Sequence, residues 1–398
     1  MSRAVGTVVR GLRAPIIQQG DDLLTILTET VLRAVEQEHI TLRDRDIVAV
    51  TEAVVAKAQG NYAMIDDIAQ DVQDKLGSEV IGAVFPILSR NRFASSLSAV
   101  ARAAKKVVLQ LSYPSDEVGN HLISLDQIDA AGLNPWCDVL TEAEFRAHFG
   151  VTRHFFTGLD YISYYREVIE REGCEAVILF ANDPREILKH TGRVLACDIH
   201  TRERTKRLLR EGGAERVLGL DDLLTSSVGD SGFNPVYGLL GANRATEERV
   251  KLFPRDGQAF VEQAAKNLRE ATGRKLEVMI YGDGAFKDSV GKVWELADPV
   301  VSPAYTDGLD GLPSEIKLKY LADSAFAHLR GEALCNAVIH SIQHKDELEG
   351  GMISQGTTPR RLTDLIGSLC DLTSGSGDKG TPFILVQGYF DNYAANGQ

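Results

Sequence analysis

The sequence predicts a mixed α/β (α+β) chain, a two-lobed domain interrupted by a small parallel βαβ insertion. Three observations carry this. Between Tyr161 and Leu220, apolar runs alternate with amphipathic stretches in the order helix, strand, helix, strand, helix, strand, the texture of a parallel layer. Outside that region, short and wholly apolar runs at Ile47–Val50, Leu276–Tyr281 and Phe383–Val386 read as buried strands. Polar, Gly- and Pro-punctuated segments after Tyr113 and again from Val228 bracket the alternation. The expected division is therefore residues 1–112 with 228–398 as one domain and 113–227 as the insertion.

In chain order, Val5–Val9 reads as a strand. Asp21 or Asp22 is placed to cap the helix carrying Leu23, Leu24, Ile26 and Leu27. The strand at Ile47–Val50 runs into Thr51–Lys57 and stops at Gly60. Residues 61–112 read as mostly helical, with Ile65–Lys75 and Ala94–Ala104 as helices and Val107–Leu111 as a strand. In the insertion, Tyr161–Glu172 is a helix, Cys174–Phe180 a strand and Pro184–His190 a further helix. Val194–Ile199 follows as a strand, then the charged helix Arg202–Glu211 with Thr201 as its cap, then Val217–Leu220 as the last strand. Beyond it, Gln258–Glu270 is helical, Leu276–Tyr281 is a strand broken at once by Gly282 and Gly284, and Glu315–Ser341 and Leu362–Leu369 are helical.

A net charge of -13 argues against non-specific affinity for nucleic acid or anionic membranes. The five cysteines are scattered with no CxxC, which suits neither a disulfide framework nor a zinc site. No apolar run reaches transmembrane length and the N-terminus lacks a signal-peptide core, so a cytoplasmic location is expected. No GxGxxG follows a strand, so dinucleotide binding is not expected. His190, Asp198 and His200 cluster in sequence but with mixed spacing, and read as structural rather than as ligands.

The chemistry concentrates in a few loops. Asp283 stands where a strand ends and a Gly-flanked loop begins, with Lys287, Asp288 and Lys292 close behind. Glu247 follows the small-residue turn Gly241-Ala242-Asn243. Carboxylates at strand ends and cations in Gly-rich loops suit a metal–phosphate site, since hard divalent cations take oxygen ligands. They equally suit two loops of solvated charge. Lys57, a few residues past a strand, either reaches a phosphate or faces solvent. The Gly/Ser-rich stretch Ser374–Thr381 offers backbone N–H groups to a phosphate or ribose, or is a plain turn.

Four segments, in order, resemble the coenzyme F420:L-glutamate ligase (F420-0 gamma-glutamyl ligase) family: APIIQQGDDL at Ala14–Leu23, DIVAVTEAVVAKAQG at Asp46–Gly60, GLLGANRATEERV at Gly238–Val250, and IYGDGAF at Ile280–Phe286. TPFILVQG at Thr381–Gly388 is similar to its closing strand. The resemblance implies an F420-ligase-like fold, a homodimer, GTP or ATP as co-substrate and Mg²⁺ or Mn²⁺ as cofactor. It implies nucleotide binding by Ala14, Pro15, Ile16, Ile17 and Lys57 and by the loop Ser374, Gly375, Ser376, Gly377, Asp378, Lys379. It implies Glu247 and Asp283 as metal ligands and a phosphate-reaching role for Lys57. Where the chain departs from the family's motifs, Asp288 is the candidate for the oxygen ligand that Gly284 lacks, and the charge the chemistry must offset makes Lys287 a catalytic candidate beside Lys57 and Asp283, with Asn243, Arg244 and Lys292 as substrate-binding candidates.

The activity so implied is an amide ligase of gamma-glutamyl type. It joins an amino acid such as L-glutamate to a small-molecule carboxylate acceptor through an acyl phosphate, with no nucleic-acid or membrane partner. Two carboxylates ~4 Å apart repel by roughly 4 kcal/mol at an effective dielectric of about 20, so Glu247 and Asp283 side by side require a cation. The alternatives are a non-catalytic nucleotide-binding or regulatory relative, and a metal-dependent phosphohydrolase.

Overall fold

In the computed structural model, which describes residues 4–155, 157–282, 285–287, 294–296, 302–345, 348, 351–354, 360–374 and 378–395, the apolar run Ile47–Thr51 is the central strand of a five-stranded sheet. The strand order is Val8–Leu12, Phe383–Gln387, Ile47–Thr51, Glu277–Tyr281, Ala304–Tyr305. Ile47–Thr51 runs parallel to Glu277–Tyr281; the other three pairings are antiparallel.

Side chains alternate across a strand. Val48, Val50, Val278, Ile280, Phe383 and Leu385 therefore pack to one face, against Leu27 and Val31 of the helix Leu23–Gln37 and Val261 and Leu268 of the helix Gly257–Thr272. Ile47, Ala49, Met279, Tyr281, Ile384 and Val386 pack to the other, against Ile366 and Cys370 of the helix Leu362–Ser374. Both faces are covered, which is why these strands read as continuous apolar runs. Each fully buried Leu, Ile or Val here contributes about 1.5–3 kcal/mol. Asp22 caps the first helix: its carboxylate accepts from the Thr25 backbone N–H at 3.2 Å and from the Thr25 hydroxyl at 2.6 Å. The hydroxyl bond, with the backbone bond behind it, holds the Asp22 carboxyl below the usual carboxylate range.

The second sheet has six strands in the order Leu140–Thr141, Glu175–Phe180, Lys106–Leu111, Val80–Val84, Arg193–Ala196, Arg216–Gly219. All neighbours are parallel except the Leu140–Thr141 edge. The three strands expected in the insertion are present and share this sheet, but Lys106–Leu111 and Val80–Val84 lie between the first and the second of them. Contacts accordingly divide the chain into one unit of residues 4–58 with the described residues from 256 onward, and another of 59–255. The division falls at 58/59 and 255/256, where the sequence suggests 112/113 and 227/228. The physical reason is the strand Val80–Val84. Its residues Ile81, Ala83 and Val84 are fully buried, and the whole run joins segments on either side of residue 113 into one sheet. A further three-stranded sheet in the same unit pairs Asn243–Arg244, Arg249–Lys251 and Tyr62–Met64.

The helix Arg202–Glu211 has its expected bounds but a different cap. Thr201 makes no side-chain capping bond. The Glu117 carboxylate instead accepts from the backbone N–H groups of Ile199, His200 and Thr201, and the Thr201 hydroxyl donates to Asp198 at 2.6 Å. A full carboxylate charge at a helix N-terminus satisfies more orphan donors than one hydroxyl. No helix among the described residues is long and apolar enough to cross a membrane.

Candidate functional site

Strand registers bring several of the singled-out segments to one end of the five-stranded sheet. Leu12 pairs with Phe383, Phe383 with Val50, and Thr51 with Tyr281. At that end Val8–Leu12 exits toward Ala14–Ile17, Ile47–Thr51 exits into the helix Glu52–Ala58, and Glu277–Tyr281 exits into Gly282. Phe383–Gln387 enters there from the loop after Ser374. The junctions are bonded together. Ala14 N–H donates to the Gly380 carbonyl at 3.1 Å, Thr51 N–H to the Pro382 carbonyl at 3.1 Å, and Gly20 N–H to the Ala58 carbonyl at 2.8 Å. The Ser374 carbonyl accepts from the Thr381 hydroxyl at 2.7 Å, closing the loop between them at its base.

Within this arrangement Ala14 is half-buried, Pro15 and Ile16 are exposed, and Ile17 is anchored in the core. Lys57 sits in the last turn of its helix, half-buried, and among the described residues its ammonium has no hydrogen-bond or ion-pair partner. Asp378 and Lys379 lie exposed in the turn before Gly380. Asp283, Asp288, Lys292, Gly375, Ser376 and Gly377 lie outside the described residues. Lys287 ends the strand Ala285–Lys287, paired with Trp294, and only its backbone is described. Tyr281, at the strand exit, is buried, and burial pushes its hydroxyl well above the usual phenol range.

The remaining singled-out residues belong to the other unit. Its sheet reverses direction of winding between Val80–Val84 and Arg193–Ala196, and in open parallel sheets ligands bind at the carboxyl ends of strands at such a point. The Phe85–Arg92 loop leaves Val80–Val84 there, and Arg244 N–H donates to the Asn91 carbonyl at 2.7 Å. Asn243 and Arg244 are thereby held against a loop that carries Arg90 and Arg92. Arg244 also approaches Glu247 at 3.8 Å, and Glu247 is otherwise open to solvent at 91% exposure. Among the described residues no group of three His, Cys, Asp or Glu side chains comes together as a metal site. The winding reversal itself is plugged. The space between Ile87, Arg92, Cys197, Ile199, Leu239 and Ala242 is about 20 Å³, room for roughly one water.

Two residues that the sequence did not single out build this loop. The Asp116 carboxylate accepts from the N–H groups of Leu88, Val118 and Asn120 and from the Asn120 amide, at 2.7–3.1 Å. Burial pushes its carboxyl above the usual range despite those bonds. The Tyr165 hydroxyl donates to the Ile87 carbonyl and accepts from Ser89 N–H. The bond from Leu88 to Asp116 and both Tyr165 bonds span 28 to 78 positions, so no local pattern ties either residue to this loop. His190, Asp198 and His200 form no ligand set. Asp198 is fully buried and accepts from the Thr201 and Thr205 hydroxyls, while His200 is exposed.

Comparison with known families gives a match over residues 11–388 to the family described as F420-0:gamma-glutamyl ligase. No curated protein matches the chain. The match covers both units and every segment gathered above, so the chain belongs to the F420-0:gamma-glutamyl ligase family.

Proposed function

We propose that the protein is a GTP- or ATP-dependent acid–amino-acid ligase that joins an amino acid such as L-glutamate to a small carboxylate acceptor. Membership of a ligase family supports the reaction class. The observation that carries the reading is the meeting of the Ala14–Ile17 segment, the Lys57 helix, the exit toward Asp283 and the loop after Ser374 at one end of one sheet.

In the proposed reaction an acceptor carboxylate oxygen attacks the γ-phosphorus, the bond to the β-phosphate oxygen breaks, and the nucleoside diphosphate leaves. The amine nitrogen, after losing a proton, attacks the carbonyl carbon of the acyl phosphate, and phosphate departs with the bonding pair. Lys57 and Lys287 neutralise phosphate charge as it shifts during transfer. Backbone groups of Ala14, Pro15, Ile16 and Ile17 and the 374–379 loop hold the nucleotide. Asp283 and Asp288 would help to hold a Mg²⁺ or Mn²⁺ ion, which would offset the charge of the phosphate oxygens, and Glu247, in the 59–255 unit, is a separate candidate oxygen ligand. Asn243, Arg244 and Lys292 bind substrate carboxylates, Arg244 with the planar fork that suits them.

The test is nucleoside diphosphate release with L-glutamate and pooled carboxylic acids, with amide products identified by mass. Lys57→Ala is expected to lose on the order of 100-fold in turnover while its unfolding free energy stays within about 0.5 kcal/mol of wild type. Wild-type turnover in that variant would refute the assignment. Phosphate release that needs no amine would make the protein a phosphohydrolase instead.

A further inference from the structure

At the opposite end of the same sheet lies a cleft of about 370 Å³ that the ligase reading does not use. It opens where the strand Glu277–Tyr281 begins, four residues or about 13 Å from the Tyr281 exit. The helix Gly257–Thr272 forms one wall and the turn at Thr306–Gly308 the other. Its charged lining is Glu262, Lys266, Arg269, Lys275, Glu277 and Asp307.

Two features distinguish this lining from ordinary surface charge. Glu277 is 3% exposed, yet its carboxylate keeps only one hydrogen bond among the described residues, from the Thr306 hydroxyl to Oε2. Burying a carboxylate is costly unless its oxygens are paired. The second oxygen, Oε1, faces Gly308 so closely that a Cβ at position 308 would lie 2.0 Å from it. The absence of a side chain at Gly308 leaves Oε1 open beside the cleft. Meanwhile Lys266, Arg269 and Lys275 have no ion-pair or side-chain hydrogen-bond partner among the described residues, although three carboxylates share the cleft with them. Three basic groups without side-chain partners among the described residues and a buried, half-satisfied carboxylate thus line one space large enough for a small ligand.

A simple anion meets Glu277 and Asp307 there, and a simple cation meets the three basic groups. A ligand that carries both signs satisfies the lining. We propose that this cleft is a binding site for an acidic α-amino acid, distinct from the proposed catalytic end. The ligand ammonium donates to Glu277 Oε1, and its carboxylates bond Arg269, Lys266 and Lys275. The proposal goes beyond the ligase reading and shares only the amino-acid class with it.

Calorimetric titration of the full chain with L-glutamate, without nucleotide or metal, tests this. One binding event per chain is expected. Lys266→Ala/Arg269→Ala is expected to weaken it by at least about tenfold, with Lys57→Ala unchanged. Both basic residues are exposed, so the double variant is expected to keep the wild-type thermal unfolding profile. Glutarate, which lacks the ammonium, and 4-aminobutyrate, which lacks the second carboxylate, are expected to bind at least about tenfold more weakly. Absence of binding by L-glutamate and L-aspartate at millimolar concentration overturns the proposal. So does glutarate binding as tightly as glutamate. Loss of binding in Arg244→Ala with none in the double variant places the amino acid at the proposed substrate-binding residues, which overturns the second site and leaves the ligase reading intact.

Discussion

Removing the Asp116 carboxylate is the sharpest structural test, because its surroundings dictate the answer for two variants at once. All four of its partners are donors: three backbone N–H groups and the Asn120 amide. In Asp116→Ala the Leu88 N–H is orphaned in a buried position, at about 1–3 kcal/mol, and three bonds to a charged acceptor are lost beside it. Water reaches the part-buried Val118 and Asn120 groups, and relief of a desolvated carboxylate offsets part of the loss. A net destabilisation of about 2–4 kcal/mol follows. Asp116→Asn does not rescue it. Whichever way the amide is turned, its NH₂ faces donors, so at least two bonds go. In urea, with a slope of about 2 kcal/mol/M, the alanine variant moves the midpoint for the 59–255 unit down by about 1–2 M, and the asparagine variant lands nearer to alanine than to wild type. An asparagine variant as stable as wild type would refute the reasoning, since it would mean that the carboxylate is not the common acceptor. The pH sign is also fixed. Asp116 has a folded-state pKa raised above its unfolded value by burial. Its contribution is therefore fully present below the unfolded pKa and is lost as pH rises through the folded pKa. Wild type, but not Asp116→Ala, carries that loss.

Asp22→Ala removes a helix cap and is expected to cost about 1 kcal/mol in unfolding experiments at neutral pH. Because the Asp22 carboxyl is held low, its contribution is present above the unfolded pKa and fades as pH falls through the folded one, so the gap between variant and wild type closes in acid. Gly238→Ala is expected to destabilise by about 2–4 kcal/mol. Residue 238 has φ of 53°, and a Cβ there would lie 2.4 Å from the Leu223 carbonyl oxygen and 2.7 Å from that of Asp221. A wild-type melting profile for that variant would contradict the packing described.

What could be read from the sequence was what is local. Ile47–Thr51 announces itself as an unbroken apolar run, Asp22 stands one residue before the helix it caps, and the Ile65–Leu76 and Phe93–Ala103 helices fall within a residue or so of their expected bounds. Val80–Val84 does not announce itself. It sits between two helices in a stretch of helical texture, and only its pairing with strands at 106–111 and 193–196 reveals it. Strand order is a non-local property, so the division of the chain by contacts was beyond periodicity. The same holds for Glu117, which caps a helix more than eighty residues downstream. Of the candidate site, the segments were legible one at a time as loops at strand ends. Their shared position at one sheet end depended on register, which no single segment encodes.

The sheet built on Ile47–Thr51 has a consequence for how the polypeptide is made. Its neighbours, Phe383–Gln387 and Glu277–Tyr281, are synthesised long after it; the Gln387 amide that bonds Asp46 lies 341 residues downstream. On the ribosome, the intervening 59–255 stretch can fold as soon as it emerges, whereas the first 58 residues must wait, with apolar strand edges uncovered, until the last few dozen have appeared. Any premature stop ahead of Phe383 leaves Val8–Leu12 with no strand to join and Ile47–Thr51 open on one side, so truncated products of translation are expected to expose two edges ready to pair with one another.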